Sequence, residues 1–122
     1  VAGDVRANAF LYSSDARLKT NINSINDSLS KVQQLRGVTF NWKISNKPGI
    51  GFIAQEVEQV FPELVSTDSN TGMKAVQYAN IVPVIVEAIK DQQQQIKEQQ
   101  KQLDEYRQEL NILRAQIEAL QK

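Results

Sequence analysis

Apolar residues recur every seventh position through the last third of the chain. With Val82 at position a of a heptad, that position holds Val82, Ile89, Ile96, Leu103, Leu110 and Ile117 without exception. Position d then holds Ile85, Gln92, Gln99, Tyr106, Leu113 and Leu120. A seven-residue period sustained this long predicts a coiled-coil seam with left-handed supercoiling. Pro83 fits the first turn of such a helix, where its missing N–H costs nothing. At about 1.5 Å per residue the helix reaches roughly 60 Å. An isolated helix with that stripe exposes it to water, so the seam is expected to be buried between chains. Gln92 and Gln99 put two amide layers into it, which lowers stability and fixes register. In a parallel bundle Glu109 at g reaches Arg114 at e of a neighbour, a pairing that an antiparallel bundle does not reproduce. The sequence favours a parallel oligomer and leaves two or three strands open.

Shorter patterns precede the helix. Residues 1–13, ending Ala9-Phe10-Leu11-Tyr12-Ser13, read as a short strand or extended segment. Ile22, Ile25, Leu29, Val32 and Leu35 have helical spacing, with Asn26 and Asp27 interrupting it. The firm helix is therefore expected from Ser24 or Asp27 to a point before Gly37. Val38 to Lys43 alternates apolar and polar residues and predicts a half-buried strand, and Asn46-Lys47-Pro48-Gly49 reads as the turn after it. Gly51-Phe52-Ile53 leads into a helix from Ala54 to about Val60, which Pro62 ends by disfavouring helical geometry at Phe61. Two short apolar runs, 64–67 and 73–78, flank the polar Asp68-Ser69-Asn70-Thr71-Gly72, a hairpin signal. Phe40, Trp42, Phe52 and Phe61 are expected in the core. The fold class is thus α+β: a small mixed head of short strands and helices, then a long C-terminal helix. The expected divisions are an upstream segment 1–13, a compact head 14–78 and a helix 79–122. A head that small has a marginal core of its own and is expected to lean on the helix.

Composition narrows the chemistry. Fourteen Lys and Arg balance fourteen Asp and Glu over 122 residues, so no net field draws in nucleic acid or an anionic membrane. No apolar run approaches the roughly 20 residues of a membrane span, and no signal peptide is visible. The chain starts at Val1 rather than Met, which suggests the tail end of something longer. Cys and His are absent, which removes disulfides, thiol nucleophiles, His-based triads and the usual zinc sites. No metal or other cofactor is expected. Gly49-Ile50-Gly51 lacks the remaining parts of a phosphate-binding loop. Hydroxyl, amine, carboxylate and amide groups are what the chain has to work with.

Three ordered segments carry a family resemblance: Ser14-Asp15-Ala16-Arg17-Leu18-Lys19, Gly51-Phe52-Ile53-Ala54-Gln55-Glu56-Val57, and the helix opening at Ile81 to Lys90. Together they resemble the C-terminal intramolecular chaperone domain of phage tail spikes and tail fibres, also called peptidase S74. The resemblance runs from about Ser14 to Lys90, the later helix agreeing in type rather than in residues. It implies a homotrimer with the upstream fibre or spike in the same chain. Membrane-bound eukaryotic transcription factors also carry this domain type, but nothing in this sequence marks a membrane or DNA-binding part, and neither a nucleic-acid nor a membrane partner is expected. The resemblance implies a viral tail fibre precursor assembled in the host bacterial cytoplasm, whose chaperone leaves after cleavage. It also places a cleavage dyad on Ser14 as nucleophile and Lys19 as general base, with Ser13–Ser14 as the scissile bond. As ordinary residues, Ser14 is a turn or cap residue and Lys19 a solvated amine.

A base working near neutral pH must lose its proton well below the value of about 10.4 for a free lysine, a difference of roughly 4.6 kcal/mol. Burial or a nearby positive charge achieves this. Arg17 is a candidate charge and Asp15 opposes it, while a closed trimer interface offers burial. Gln55 is open between a supporting role at the dyad and a local one, and Glu56 is expected to cap or pair locally. The alternative function is a permanent, non-catalytic trimerisation module. An adhesin tip for host glycans lacks an aromatic cluster on a recognisable strand.

Overall fold

The computed structural model describes residues 3–122 of the chain, so the first two residues of the upstream segment lie outside the described residues. The elements follow one another as a single 3-10 turn (Ala16–Leu18), α1 (Ser28–Gln33), β1 (Val38–Asn41), β2 (Pro48–Gly51) and α2 (Ala54–Val60). A second 3-10 turn (Pro62–Leu64), β3 (Val65–Thr67), β4 (Lys74–Val76), a third 3-10 turn (Tyr78–Asn80) and α3 (Ile81–Leu120) complete the order. The four strands form two separate antiparallel hairpins, β1 with β2 and β3 with β4. Among the described residues, 3–15 form no strand and are exposed.

The core sits where α2, the second turn and the start of α3 meet. Val57, Phe61, Leu64, Ile81 and Val84 are buried there, ringed by Val32, Leu35, Phe52, Val60, Val65 and Val76. α1 packs along α3, and α2 lies against β3 and β4. Because α3 contributes Ile81, Val84 and Ala88 to this interior, the head is built onto the long helix, as a core this small requires.

Local chemistry sets the element ends. Asp27 takes a left-handed conformation at φ 56° before α1 and makes no side-chain cap. The Asp91 carboxylate of α3 instead accepts from the Leu29 N–H at 3.3 Å, satisfying one of the free amides that every helix start leaves. α2 runs from Ala54 to Val60, and Phe61 leaves helical geometry at φ −132° ahead of Pro62. Asp68 organises the loop of the β3–β4 hairpin by accepting from the Asn70 and Thr71 amides at 2.8 and 3.0 Å. These elements follow the sequence expectation closely, with α1 beginning at the later of its two candidate starts.

Two expectations need correction. The turn between β1 and β2 does not lie at Asn46 to Gly49. The chain turns at residues 43–45, closed by the Asn46 N–H on the Trp42 carbonyl at 2.8 Å and the Trp42 N–H on the Lys47 carbonyl at 2.9 Å. Asn46 takes the left-handed conformation, φ 56°, which Asn tolerates better than most residues. Pro48 therefore opens β2, a strand start where it loses no ladder bond. Gly49 lies beneath the Phe40 ring, where a Cβ would stand 2.7 Å from ring carbons. Trp42, expected in the core, is 60% exposed. It sits past the end of a two-stranded hairpin with no second layer over it, meeting Phe40 edge-on at 5.0 Å.

Candidate functional site

Ser14 and Lys19 are five residues apart in sequence and are brought together by the first 3-10 turn. Asp15 starts that turn: its carboxylate accepts from the Arg17 N–H at 2.8 Å. The Leu18 and Lys19 amides close it on the carbonyls of Asp15 and Ala16 at 3.0 and 3.1 Å. The chain is thereby folded back, and Lys19 Nζ donates to Ser14 Oγ at 2.7 Å. A lysine amine without its proton at that distance can accept the hydroxyl proton, which is the geometry required of a base and nucleophile.

The electrostatics differ from the sequence expectation for Arg17. Its guanidinium is turned onto Asp15, with Nε and Nη2 at 3.1 and 2.8 Å from the two carboxylate oxygens. The Arg17 side chain and backbone N–H together hold the Asp15 carboxyl below the ordinary carboxylate range. Asp15 in turn raises the Arg17 value. Each neutralises the other, so Arg17 is not an uncompensated positive charge acting on Lys19. Asp15 and Arg17 serve the turn that joins Ser14 to Lys19.

Ser13, Ser14 and every residue through Lys19 are exposed in the single chain. Solvent reaches the pair freely, and no element of the same chain covers it. Gln55 occupies the second position of α2 and faces an open apolar groove of about 710 Å³ with Phe40, Trp42, Phe52 and Tyr78. Among the described residues it makes no side-chain hydrogen bond to Ser14 or Lys19. Glu56 pairs with Arg36, twenty residues earlier, through two bonds of 3.1 and 2.8 Å.

Tyr78 was not singled out in the sequence, and it ties the second motif to the base of the long helix. Its hydroxyl accepts from the Phe52 N–H at 2.8 Å, and its ring stacks on Phe52 with centroids 5.6 Å apart. A Cβ on Gly51 would collide with that hydroxyl. No periodicity marks Tyr78, which closes an ordinary apolar run after β4; the glycine before Phe52 is the available sequence signal.

The ten apolar a and d residues of the heptad all lie exposed along α3, and from Gln92 onward every residue of the helix is exposed. Among the described residues no cluster of three metal-ligating side chains occurs. No helix there is long and apolar enough to cross a membrane.

No curated protein matches the chain. A family match exists, and it begins at Ser14 itself: residues 14–66 match the family model of peptidase S74, the chaperone of endosialidase.

Proposed function

We propose that this chain is the self-cleaving C-terminal intramolecular chaperone of a homotrimeric viral tail fibre or spike. The family match supports the chaperone role. The observation that carries the catalytic part is the 2.7 Å hydrogen bond from Lys19 Nζ to Ser14 Oγ, at the first residue of the matched segment. A domain whose family boundary coincides with its nucleophile is suited to release at that residue.

The chemistry is intramolecular. Ser14 Oγ attacks the carbonyl carbon of Ser13 through a five-membered ring, and neutral Lys19 takes the hydroxyl proton. The Ser13–Ser14 C–N bond breaks, Lys19 returns the proton to the Ser14 amine, and the Ser13 acyl group remains as an ester on Oγ. Water hydrolyses this ester, leaving a Ser13 carboxylate and the free Ser14 hydroxyl. Joining nucleophile and electrophile in adjacent residues removes the entropy of a bimolecular encounter.

Assembly supplies what the single chain lacks. The Ser14–Lys19 pair is open to water, and the apolar seam of α3 is exposed in the single chain. Packing three helices through Val82, Ile89, Ile96, Leu103, Leu110 and Ile117 brings the heads together, and a neighbouring head can desolvate Lys19 and favour its neutral form. Cleavage then follows registration of the fibre, and release of the clamp makes assembly irreversible. Host bacterial cytoplasm is the setting this scheme implies.

Intact mass of the chain expressed behind a long N-terminal extension, beside Ser14→Ala and Lys19→Ala, tests the reading. A fragment beginning at Ser14 in the parent and in neither variant is expected. A parent that stays whole yet assembles as a trimer would leave only the permanent trimerisation module.

A further inference from the structure

The upstream segment meets the head at Tyr12, two residues before Ser14. An open cleft of about 410 Å³ is lined by Tyr12 together with Val76, Gln77, Tyr78, Ala79 and Asn80. The floor of this cleft is firmly tied to the head. The Gln77 N–H donates to the Leu64 carbonyl at 2.8 Å, and the Asn80 N–H to the Gln77 carbonyl at 3.0 Å. Asn80 Nδ2 donates to Gln77 Oε1 at 2.6 Å, and the Tyr78 hydroxyl accepts from the Phe52 N–H.

The scissile bond therefore lies between a held residue and a ring that borders the head. Downstream, Ser14 is held by Lys19 and by the turn that Asp15 starts. Upstream, Tyr12 borders the cleft whose floor is fixed, and Ser13 alone separates the two. Attack by Ser14 Oγ requires the Ser13 carbonyl carbon to sit on the hydroxyl's side of the backbone. A Tyr12 ring seated in the cleft would leave few rotations that could carry it away.

Resting on the self-cleavage reading above, we propose that the cleft formed by residues 76–80 is a positioning subsite that seats the aromatic side chain two residues before the cleaved bond. It selects an aromatic ring there; Tyr12 forms one side of the cleft and is 70% exposed. The bonds made and broken are those already described. The subsite acts only on the orientation of the Ser13 carbonyl, a factor to which intramolecular reactions are steeply sensitive.

The test measures the rate of self-cleavage in Tyr12→Ala and Tyr12→Phe, both changes at an exposed residue that the core does not need. Tyr12→Ala is expected to slow cleavage about tenfold, and Tyr12→Phe to stay within about twofold of the parent. Oligomeric state, thermal midpoint and the midpoint of the pH–rate profile should stay at their parent values, because Lys19 and the core are untouched. A second measurement needs no catalysis. In a Ser14→Ala background, Ala79→Arg fills the cleft, and chymotrypsin should then nick after Tyr12 several-fold faster, as read by mass. Parent-rate cleavage in Tyr12→Ala, or a nicking rate indifferent to Ala79→Arg, overturns the proposal. A parent that stays whole instead overturns the self-cleavage reading, and the nicking comparison still decides whether the cleft seats Tyr12.

Discussion

Two stripes on the first turns of α3 meet opposite fates. Ile81, Val84 and Ala88 are buried against the head. Val82, Ile85 and Ile89, on the neighbouring face, are exposed, and their stripe continues exposed to Leu120. The first stripe has its partners within the chain; among the described residues the second is left uncovered. One helix thus carries an intrachain core that finishes a head too small to stand alone and an exposed stripe of heptad period, which the proposed assembly would cover. The Ser14–Lys19 pair belongs with the open side, formed in the single chain yet left uncovered.

Substitutions should separate the core from the stripe. The largest effect is expected from Ile96→Asp combined with Leu103→Asp, which places charges at consecutive a layers. Association should be lost outright in sedimentation, while the head, which touches neither residue, keeps its folded spectrum. Phe61→Ala should act on the intrachain core. Phe61 is 2% exposed, and emptying such a site costs about 3–5 kcal/mol, a large part of a small domain's stability. Thermal unfolding should show the head melting early with the heptad sequence intact. If Phe61→Ala also removed association at low temperature, core and stripe would not be independent.

A smaller effect of opposite sign is expected at the seam's polar layers. Gln99→Ile replaces an amide at d with an apolar side chain and should raise the thermal midpoint of the assembly at fixed concentration. It should also loosen register, seen as mixed oligomers or parallel and antiparallel pairing in disulfide-trapping experiments. An unchanged midpoint would mean that Gln99 does not face the seam.

The smallest effect concerns acid. Arg36 holds the Glu56 carboxyl below its ordinary value of 4.5, chiefly by side-chain hydrogen bonding. The Thr71 and Asn70 amides do the same for Asp68, whose ordinary value is 3.8. Groups depressed in the folded chain take up protons more readily when unfolded. Their stabilisation is therefore complete above the ordinary values and is lost as pH falls through the lower folded ones. Glu56→Gln should flatten the head's acid-side loss of stability slightly, and both partners' exposure keeps the change small. Thermal midpoints recorded from pH 6 down to pH 3 would show it.

Much of this was legible in the sequence because it rested on local chemistry or long periodicity. The long helix running to Leu120, the end of α2 before Pro62 and the loop Asp68 to Gly72 are cases of that kind. The β1–β2 turn was misplaced because Pro48 and Gly49 are turn-forming residues by type. Here Asn46 closes the turn first, and Gly49 is needed under Phe40. Trp42 was expected inside because aromatic residues on a strand usually are, yet a two-stranded hairpin gives it nothing to lie under. Contacts distant in sequence left no signal: Asp91 on the Leu29 amide, Tyr78 on the Phe52 amide, and Arg36 on Glu56. At the candidate site the family motif pointed to Ser14 and Lys19. The turn that joins them, and the neutralisation of Arg17 by Asp15, required the structure.

The most direct measurement is the rate of self-cleavage in the parent and in the Ile96→Asp/Leu103→Asp chain, with the mass of each species determined while its oligomeric state is followed. If assembly completes the open Ser14–Lys19 site, the parent yields a fragment beginning at Ser14 and the monomeric variant stays whole. A monomer that cuts at the parent's rate would contradict the account.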